Sequence, residues 1–460
     1  MRQSVDEVLE RAIHHIESLP DQPAWVDTSE AILESKSLVE PMPSSGTPLP
    51  DLLDALFDEY APASFTTAGP GYLAYVPGGG LFHAALADLV SNTTNRYTGV
   101  LAAAPKLVQL EWNVVRWFAE IIGYPRESGG FLTSGGSLAN LGALVTARIA
   151  RLGENFLGGT IYVSDQVHHC VDKAARIAGF PRANVRVIPA DDDYRLDPSA
   201  VRRAIAEDRA AGRTPFLLVG SAGTTNTGAV DPLDDLADLA AEESLWFHID
   251  GAYGGFFSLT ERGRQALKGI ERADSVVLDP HKGLFLPYGT GALLVREPAT
   301  LEAAHGERAD YMPAMQDDDD LIDPCQVSPE LSKPFRGLRV WLPFKMHGVG
   351  PFRRNLDEKL DLALWTEERL RELDDIEVLA EPQLSTLAFG VRREGASLET
   401  LNALTVALHK AVNARRRVHL TSTLLGDRYA IRICIVSFRT HLDRMQACLD
   451  DISAALAELP

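Results

Sequence analysis

The sequence has few cysteines and no long apolar run, and both absences exclude classes of protein. Its four cysteines, Cys170, Cys325, Cys434 and Cys448, lie far apart and form no CxxC pair. That spacing predicts neither a disulfide framework nor a zinc knuckle, so we expect reduced thiols. No stretch reaches the roughly 18 consecutive apolar residues of a membrane-spanning helix, and we therefore expect no membrane partner.

Basic residues are also scarce, because 44 Lys and Arg stand against 64 Asp and Glu and the formal net charge is -20. No basic arm or patch stands out, which argues against a nucleic-acid partner. The first residues, MRQSVDEVLERAIHHIESL, carry acids in an amphipathic period and lack the apolar segment of a signal peptide. We expect a cytoplasmic protein whose partner is a small molecule.

The middle of the chain alternates between two periodicities. From Gly130 to Arg296, short β-branched runs such as FLT, TIYVS and FLLVGSA alternate with helical patterns of ten or more residues. This alternation predicts right-handed crossovers and an α/β domain with a mostly parallel sheet. After Lys359, long helical patterns surround two strand-like runs, which predicts a smaller α+β domain. We place the domains at 1–80 (N-terminal helical arm), 81–358 (large domain) and 359–460 (small C-terminal domain).

A glycine turn follows the first strand of the alternating region, in FLTSGGSLANLGALVTAR. Gly135 and Gly136 permit a close approach of the backbone, and Ser137 is predicted as the N-cap of a helix that runs to Arg151. The free amides at such a helix start can hold a phosphate. The alternative is a plain glycine turn with a serine cap, since the segment lacks the GK[ST] ending of a nucleotide-binding loop.

Polar residues follow two further strands. In YVSDQVHHCVDKAARIAG, His168 and His169 open a helix. One should face the cleft and the other solvent or an interface, because adjacent helical residues point about 100° apart; a simple polar cap is the alternative. In WFHIDGAYGGF, Asp250 ends an apolar strand, where a carboxylate needs a cation or several hydrogen bonds. Its alternative role is that of an N-cap for the next helix.

The segment LDPHKGLFLPYGTGALLVR places Asp279, His281 and Lys282 directly after another apolar strand. A lysine there loses hydration, which is unfavourable unless the amine is paired or chemically used. Desolvation and a nearby cation would lower the pKa of Lys282 and free its amine as a nucleophile. The alternative is a lysine that extends from the strand end to solvent.

All four segments follow strands, so they should meet at the carboxyl edge of the sheet, where open α/β folds bind ligands. Their residues suit pyridoxal 5′-phosphate (PLP). The cofactor's aldehyde would form a Schiff base with Lys282, its phosphate would lie on the Gly135–Ser137 helix start, and His168 would stack on its ring. Asp250 would keep the pyridine nitrogen protonated, so that the ring accepts electrons when a bond to the substrate Cα breaks.

On these segments, the sequence resembles the group II PLP-dependent amino-acid decarboxylases, relatives of the aromatic amino-acid and glutamate decarboxylases, over roughly residues 71–440. SDQVHHCVDKA is similar to the family's DQxHxS segment, SAGTTNTGAVDPL to GTTxxGxxD, HIDGAYGG to HVDAAYGG, and DPHK to N/DPHK. PFRGLRVW and IRICIVSFRT fit downstream signatures of the family. The resemblance implies the aspartate-aminotransferase type I fold, α-decarboxylation of an L-amino acid to an amine and carbon dioxide, and a homodimer.

The resemblance also implies a set of site residues. It assigns ring stacking to His168, the pyridinium contact to Asp250 and the Schiff base to Lys282. Residues further expected to bind the cofactor or fix its loop are Thr225, Asp231, Ala252 and His281. Residues expected on the substrate side are Tyr72, Tyr75, Arg96, Tyr97 and Arg432, the last for the substrate carboxylate. The tyrosines suit an aromatic side chain and Arg96 an acidic one, so the sequence leaves the amino acid open.

Three positions depart from the family pattern. Leu138 replaces a frequent acidic residue, which should alter only the helix surface. Gly283 replaces a usual tryptophan, which should open room beside the lysine. Pro324 occupies the place of a loop tyrosine that, in the family, protonates Cα after carbon dioxide leaves. We expect Tyr311, in the long polar segment 304–329, to donate that proton, with His168 or water as alternatives.

Three other functions stay open at the level of sequence. Without the loop tyrosine, the intermediate could react with oxygen or be protonated on the cofactor, which gives an aldehyde. The second alternative is a homologue that binds PLP without turnover. The third is a metal-dependent hydrolase, although Lys282 would repel a cation there and we predict no metal. Its ligands would come from His168, His169, His248, Asp250, Asp279 and His281.

Overall fold

The computed structural model describes residues 1–307 and 323–459. Its helices are α1 (Arg2–Ser18), α2 (Ser29–Glu34), α3 (Leu49–Asp54), α4 (Phe82–Thr94), α5 (Pro105–Ile121), α6 (Gly136–Leu152), α7 (Cys170–Ile177), α8 (Pro198–Ala210), α9 (Leu233–Glu242), α10 (Glu261–Ala266), α11 (Pro280–Gly283), α12 (Ala299–His305), α13 (Pro324–Val327), α14 (Gly337–His347), α15 (Gly350–Arg371), α16 (Leu398–Ala414) and α17 (Leu442–Ala457). Its strands are β1 (Gly129–Thr133), β2 (Gly159–Ser164), β3 (Val185–Ile188), β4 (Thr214–Ser221), β5 (Trp246–Gly251), β6 (Ser275–Leu278), β7 (Gly291–Val295), β8 (Ile376–Ala380), β9 (Thr386–Val391), β10 (Thr421–Leu425) and β11 (Arg428–Cys434).

The larger sheet has the strand order β1-β7-β6-β5-β4-β2-β3. Strand β7 is antiparallel to β1 and β6, whereas the other neighbouring pairs are parallel. The predicted α/β domain with a mostly parallel sheet is therefore confirmed. Every residue of β1, β2, β5, β6 and β7 is buried, as expected for strands that helices cover on both faces.

Helix α6 lies across the centre of this sheet, in contact with β4, β5, β6 and β7. Ala139, Ala143 and Ala147 recur every four residues along it and are buried against the sheet in the main apolar cluster. Because these side chains are small, the helix backbone approaches the strands closely. The start of α6 is thereby held near the carboxyl ends of the central strands.

A second, smaller sheet has the order β10-β11-β9-β8, and β10 pairs with β11 in antiparallel register. Helix α16 packs on β11 and on α17. The expectation of a smaller α+β region in the C-terminal part of the chain is confirmed.

The chain divides into two compact units. One comprises Met1–Pro77, Leu364–Leu379 and the residues from Ala388 onward, and the other comprises Gly78–Ala363 and Ala380–Leu387. The predicted division at residues 80 and 358, with dimerisation through the first segment, stays a proposal. Within the described ranges, no helix is long and apolar enough to cross a membrane.

Candidate active site

The carboxyl ends of three adjacent strands meet at one edge of the large sheet. Asp250, near the end of β5, pairs in register with Ser221 of β4 and Val277 of β6. Four residues beyond the end of β6, Lys282 lies in the one-turn helix α11. The strand order therefore brings together residues that are far apart in the sequence.

This edge encloses a cavity of about 310 Å³, enough for one flat ring with a phosphate. The residues that line the cavity are Ser134, Gly135, Gly136, Ser137, Leu138, Asn140, His168, Cys170, Ser221, Gly223, Thr224, Thr225, Asp250, Ala252, Tyr253, Asp279, His281 and Lys282. All the predicted cofactor-binding residues are in this set.

The amine of Lys282 is paired with a buried carboxylate. Its Nζ lies 2.9 Å from Oδ2 of Asp279, whose side chain is 2% exposed. Burial lowers the pKa of Lys282, but the Asp279 carboxylate, with a weaker contribution from Asp250, acts against burial, and the pKa lies above the ordinary value of 10.5. The predicted lowering of this pKa is therefore wrong for the chain by itself, because two carboxylates surround the amine.

Asp279 also contacts His281 and keeps one oxygen unpaired. Its Oδ2 lies 3.6 Å from Nε2 of His281, and its buried Oδ1 has no hydrogen-bond partner in the part of the chain that the structure describes. Nδ1 of His281 lies 2.6 Å from the carbonyl oxygen of Thr290, so Nδ1 carries a hydrogen and donates it. Burial lowers the pKa of His281, which favours the neutral ring beside Lys282.

Asp250 is buried, and its two oxygens accept hydrogen bonds from neutral donors. Nδ2 of Asn140 donates to Oδ2 at 3.2 Å, and the amide of Ala252 donates to Oδ1 at 3.1 Å. These two hydrogen bonds fix the orientation of the carboxylate. Its charge faces the cavity, where it can meet a cationic ring nitrogen.

The glycine turn forms the start of α6, with a correction to its cap. The N-cap residue is Gly135, and Ser137 lies inside the first turn, so the predicted serine N-cap is wrong. The amides of Gly136 and Ser137 have no partner within the helix because they lie in its first turn. A Cβ at position 136 would lie 3.1 Å from both Cβ of Ala252 and Oδ2 of Asp279. Glycine therefore lets the helix start reach the cavity wall.

His168 and His169 precede α7 rather than lie inside it. His168 lines the cavity and its Nδ1 accepts from the amide of Cys170 at 3.3 Å, whereas His169 is exposed. Burial lowers the pKa of His168 against the opposing effect of Asp250. A largely neutral, flat ring at the cavity wall is suited to stacking on an aromatic ligand.

The loop after β4 is fixed by Asp231, which accepts from the amides of Leu196 and Ser221 at 2.8 and 2.7 Å. Burial raises the pKa of Asp231 to about 6. Thr225 lines the cavity on this loop, and Ala252 lines it from the end of β5.

The positions that depart from the family pattern lie as follows. Leu138 is at the rim of the cavity and half exposed, so its effect is not limited to the helix surface as predicted. At Gly283 a Cβ would lie 2.7 Å from Cβ of Phe256, so the phenylalanine fills the space that we expected to be open. Pro324 is buried against α5 and β1, where it shares a small cavity with Val108. Tyr311 lies outside the described residues.

The predicted substrate residues are distributed over both units. Arg96 and Tyr97 are exposed and do not line the cavity. In the other unit, Arg432 is buried and donates to Oγ1 of Thr421 at 3.0 Å and to the carbonyl of Tyr75 at 3.3 Å. The Tyr75 side chain is 57% exposed. Their roles toward a substrate stay predictions.

Sequence reasoning missed Asn140, Cys170 and Tyr253, and it gave Asp279 no contact with Lys282. Asn140 follows Gly136 by one helical turn, so its position on the same face as the glycine turn was the available signal. In the described part of the chain, no three His, Cys, Asp or Glu side chains are grouped to hold a metal ion. Of the residues proposed as metal ligands, Asp279 pairs with Lys282, His248 and Asp250 contact Asn140, and His169 is exposed.

The cavity meets the requirements of PLP on its own geometry. It has a lysine amine, a carboxylate with neutral partners, a helix start with free amides and a glycine that a Cβ would obstruct. The unpaired Oδ1 of Asp279 is a further buried acceptor without a donor. These residues fit the cofactor.

Comparison with known proteins identifies the class. The pyridoxal-dependent decarboxylase conserved domain matches residues 35–392. An aromatic-L-amino-acid decarboxylase of Bacillus atrophaeus is 35% identical over 461 residues, which cover 100% of this chain and 96% of that protein. A second, from Catharanthus roseus, is 28% identical over 437 residues, 92% of this chain and 87% of its own.

Solved structures agree in fold. The structure of Oryza sativa TDC with PLP and tryptamine has a TM-score of 0.94 at 25% identity and covers 99% of this chain and 97% of its own. Catharanthus roseus tryptophan decarboxylase in complex with L-tryptophan has a TM-score of 0.92 at 26% identity, over 100% and 98%.

The chain therefore belongs to the pyridoxal-dependent decarboxylase family and has its type I fold. It is a PLP-dependent amino-acid decarboxylase, as the sequence motifs predicted.

Proposed function

We propose that the enzyme decarboxylates an aromatic L-amino acid to the amine and carbon dioxide, with PLP attached to Lys282. One observation carries the assignment of the site: Lys282 and Asp250 face a single cavity beside the glycine start of α6. The names of the relatives support the substrate class, since the Bacillus atrophaeus and Catharanthus roseus proteins are aromatic-L-amino-acid decarboxylases. Tyr75 and Tyr97 are the aromatic side chains that we assign to the substrate side.

Bound PLP supplies a conjugated ring that accepts the electron pair left when the Cα–carboxylate bond breaks. The chain's residues prepare this step. Nζ of Lys282 would hold the aldehyde carbon, and the adjacent Asp279 carboxylate accepts a hydrogen bond from this amine. Asp250 would hold a proton on the ring nitrogen, the first-turn amides of α6 would hold the phosphate, and the His168 ring would cover one face.

The substrate carboxylate must lie where it can leave as carbon dioxide, and Arg432 is our candidate for orienting it. Cα then takes a proton, which we assign to Tyr311. If no acid reaches Cα, reaction with dioxygen would give the aldehyde, ammonia and hydrogen peroxide instead of the amine. The measured product therefore decides between these two outcomes.

The test begins with purified enzyme and PLP, assayed for carbon dioxide and amine against L-tryptophan, L-tyrosine, L-phenylalanine, L-histidine and L-glutamate. Release from the aromatic acids alone supports the proposal. Turnover of glutamate alone would refute the substrate class and leave the decarboxylase itself intact. Release of no carbon dioxide from any amino acid would favour a binding protein without turnover.

Lys282→Ala tests the attachment. Borohydride should fix the cofactor on Lys282 in the wild type, and the variant should fold, lose the fixed label and lose turnover. Lys268→Ala is the matched control, because Lys268 is an exposed lysine paired with Asp234 and does not line this cavity. Normal turnover in Lys282→Ala would remove this lysine from the mechanism.

We further propose a cytoplasmic homodimer, assembled through the N-terminal arm. Large apolar side chains are exposed there, and such a patch is typical of a protein interface. They include Ile32, Leu33, Val39 and Met42, at 59%, 65%, 85% and 92%. Light scattering on the purified enzyme should give twice the 50.1 kDa of one chain. The double variant Leu33→Glu with Val39→Glu should give the mass of one chain, whereas an unchanged mass would contradict assembly through this patch.

A further inference from the structure

A row of hydrogen bonds runs from the interior of the large sheet to Asp250. Nε1 of Trp246 lies 2.9 Å from Oγ of Ser275, and the same oxygen lies 2.8 Å from Nδ1 of His248. Nε2 of His248 lies 2.9 Å from Oδ1 of Asn140, whose Nδ2 donates to Asp250 at 3.2 Å. All five side chains are buried, so the row has little access to water.

Strand geometry explains why these side chains meet. Trp246, His248 and Asp250 alternate along β5 and therefore point to the same face of the sheet. His248 is in register with Ser275 of β6, which makes the two direct neighbours. Helix α6 covers this face and brings Asn140 between His248 and Asp250.

The direction of the hydrogen bonds is fixed at Asn140. Its Nδ2 faces two acceptors, the carbonyl of Gly136 at 2.9 Å and Oδ2 of Asp250. A flipped amide would place Oδ1 against both acceptors, which is repulsive. Oδ1 therefore faces His248, and because an amide oxygen only accepts, Nε2 of His248 must carry the hydrogen.

The hydrogen bonds at the other end of the row determine whether Nδ1, the second ring nitrogen of His248, carries a hydrogen. The indole of Trp246 only donates, so Oγ of Ser275 accepts there and can give its own hydrogen to Nδ1 of His248. A protonated ring would leave the Ser275 hydroxyl hydrogen without an acceptor in the row. The geometry selects neutral His248 with its hydrogen on Nε2. Burial acts in the same direction, since it lowers the pKa of His248 to about 4 against the opposing effects of Asp250 and the Ser275 backbone.

We propose that Asn140 and His248 are positioning residues, which hold the Asp250 carboxylate in the correct orientation for the cofactor's ring nitrogen. The inference rests on the proposed function, because it takes Asp250 as the partner of that nitrogen. A neutral donor on Oδ2 stabilises the carboxylate without supplying a competing cation. The row also prevents rotation of the carboxylate, since each member has one hydrogen-bonding orientation.

The first test uses the chain without cofactor. With ¹⁵N-labelled histidine, long-range proton–nitrogen spectra distinguish the two neutral tautomers and the cation, and His248→Gln identifies the signal. We expect the neutral ring with hydrogen on Nε2. A cationic ring, or hydrogen on Nδ1, would overturn the proposed direction of the row.

The second test uses 4′-deoxypyridoxine 5′-phosphate, which has the ring nitrogen and phosphate but no aldehyde and so binds without Lys282. Its ultraviolet spectrum reports whether the ring nitrogen is protonated. His248→Leu and Asn140→Leu should weaken binding about 10-fold, or about 1.4 kcal/mol, and reduce the protonated fraction. In contrast to His248→Leu, His248→Gln should keep both the affinity and the protonated fraction near their wild-type values, because its side-chain amide can donate to Asn140.

A matched control is His419→Leu, which removes another histidine that is 5% exposed, in the other compact unit. It should lower stability without changing the bound spectrum. If His248→Leu binds the analogue with wild-type affinity and a wild-type spectrum, the row of hydrogen bonds has only a structural role and the inference is overturned. If the wild type itself binds the analogue unprotonated, the role of Asp250 in the proposed function fails instead.

Discussion

Asp250→Asn tests the contribution of the Asp250 carboxylate both to stability and to the proposed contact with the cofactor's ring nitrogen. Both oxygens of Asp250 accept from donors, Nδ2 of Asn140 and the amide of Ala252. Asparagine has only one acceptor oxygen, so its NH2 group must face one of these donors. The Asn140 amide cannot turn to relieve the contact, because its Nδ2 also donates to the carbonyl of Gly136.

The magnitude follows from this arrangement. One hydrogen bond is lost and a buried donor is left unsatisfied, so we expect a loss of about 1–3 kcal/mol in the free energy of unfolding. The effect on catalysis should be larger, since the substituted residue no longer holds a proton on the ring nitrogen. A loss of roughly 100-fold or more in kcat/KM corresponds to about 2.7 kcal/mol or more of transition-state stabilisation.

Denaturant unfolding and carbon dioxide release measure the two effects separately. Asp231→Asn is the matched control, because Asp231 is also buried, also accepts two hydrogen bonds and does not line the cavity. It should lose comparable stability and retain most of its kcat/KM. The reasoning is refuted if Asp250→Asn keeps wild-type kcat/KM, or if Asp231→Asn loses as much activity.

Three further predictions concern other groups. Asp279→Asn should lower the pKa of Lys282, because it removes the nearest carboxylate. In the chain without cofactor, trinitrobenzenesulfonate should therefore label Lys282 at lower pH than in the wild type. An unchanged dependence of labelling on pH would contradict the pairing of Lys282 with Asp279. The pKa of His248 falls from 6.5 to about 4 on folding, so its contribution of about 3 kcal/mol to the free energy of unfolding is present above pH 6.5 and is lost as pH falls toward 4. Urea unfolding across this range should show that the free energy of unfolding depends less on pH in His248→Gln than in the wild type. An equal slope in the two proteins would contradict this prediction. Tyr311→Phe should keep carbon dioxide release under air but shift product from amine to aldehyde and peroxide, whereas an unchanged amine yield would move the proton donor to His168 or water.

The sequence was sufficient for the architecture and for the order of the site residues. Strands and helices have different apolar periods, and the carboxyl ends of parallel strands must lie at one edge. Asp250 and Lys282 could therefore be placed together before any coordinates. The helix start at Gly135 was missed by two residues, because the turn conformation, rather than the serine side chain, sets where the helix begins.

Other features depend on three-dimensional neighbours that one-dimensional patterns do not contain. The prediction for the pKa of Lys282 considered desolvation but not the Asp279 carboxylate. The turn of α11 brings this carboxylate to 2.9 Å from Nζ of Lys282. The open space predicted beside Gly283 came from comparison with the tryptophan usual in the family. In this chain the Phe256 side chain occupies that space. Asn140 was missed because it bridges His248 and Asp250 from a separate element, helix α6, although its spacing from Gly136 and the Trp246, His248 and Asp250 alternation were present in the sequence.

The two strand-end carboxylates of the cavity differ in their partners, and the difference gives each a separate function. Asp279 is already paired with the ammonium of Lys282, whereas among the described residues Asp250 receives hydrogen bonds only from the neutral Asn140 and Ala252. Exchange of these partners would neutralise Asp250 with a lysine and leave no charge for a ring nitrogen. The short turn of α11 prevents this exchange, since it holds Lys282 one helical turn from Asp279 while Asp250 remains on the neighbouring strand. The same sheet edge can therefore bind an amine-reactive aldehyde and a cationic ring at two separate points.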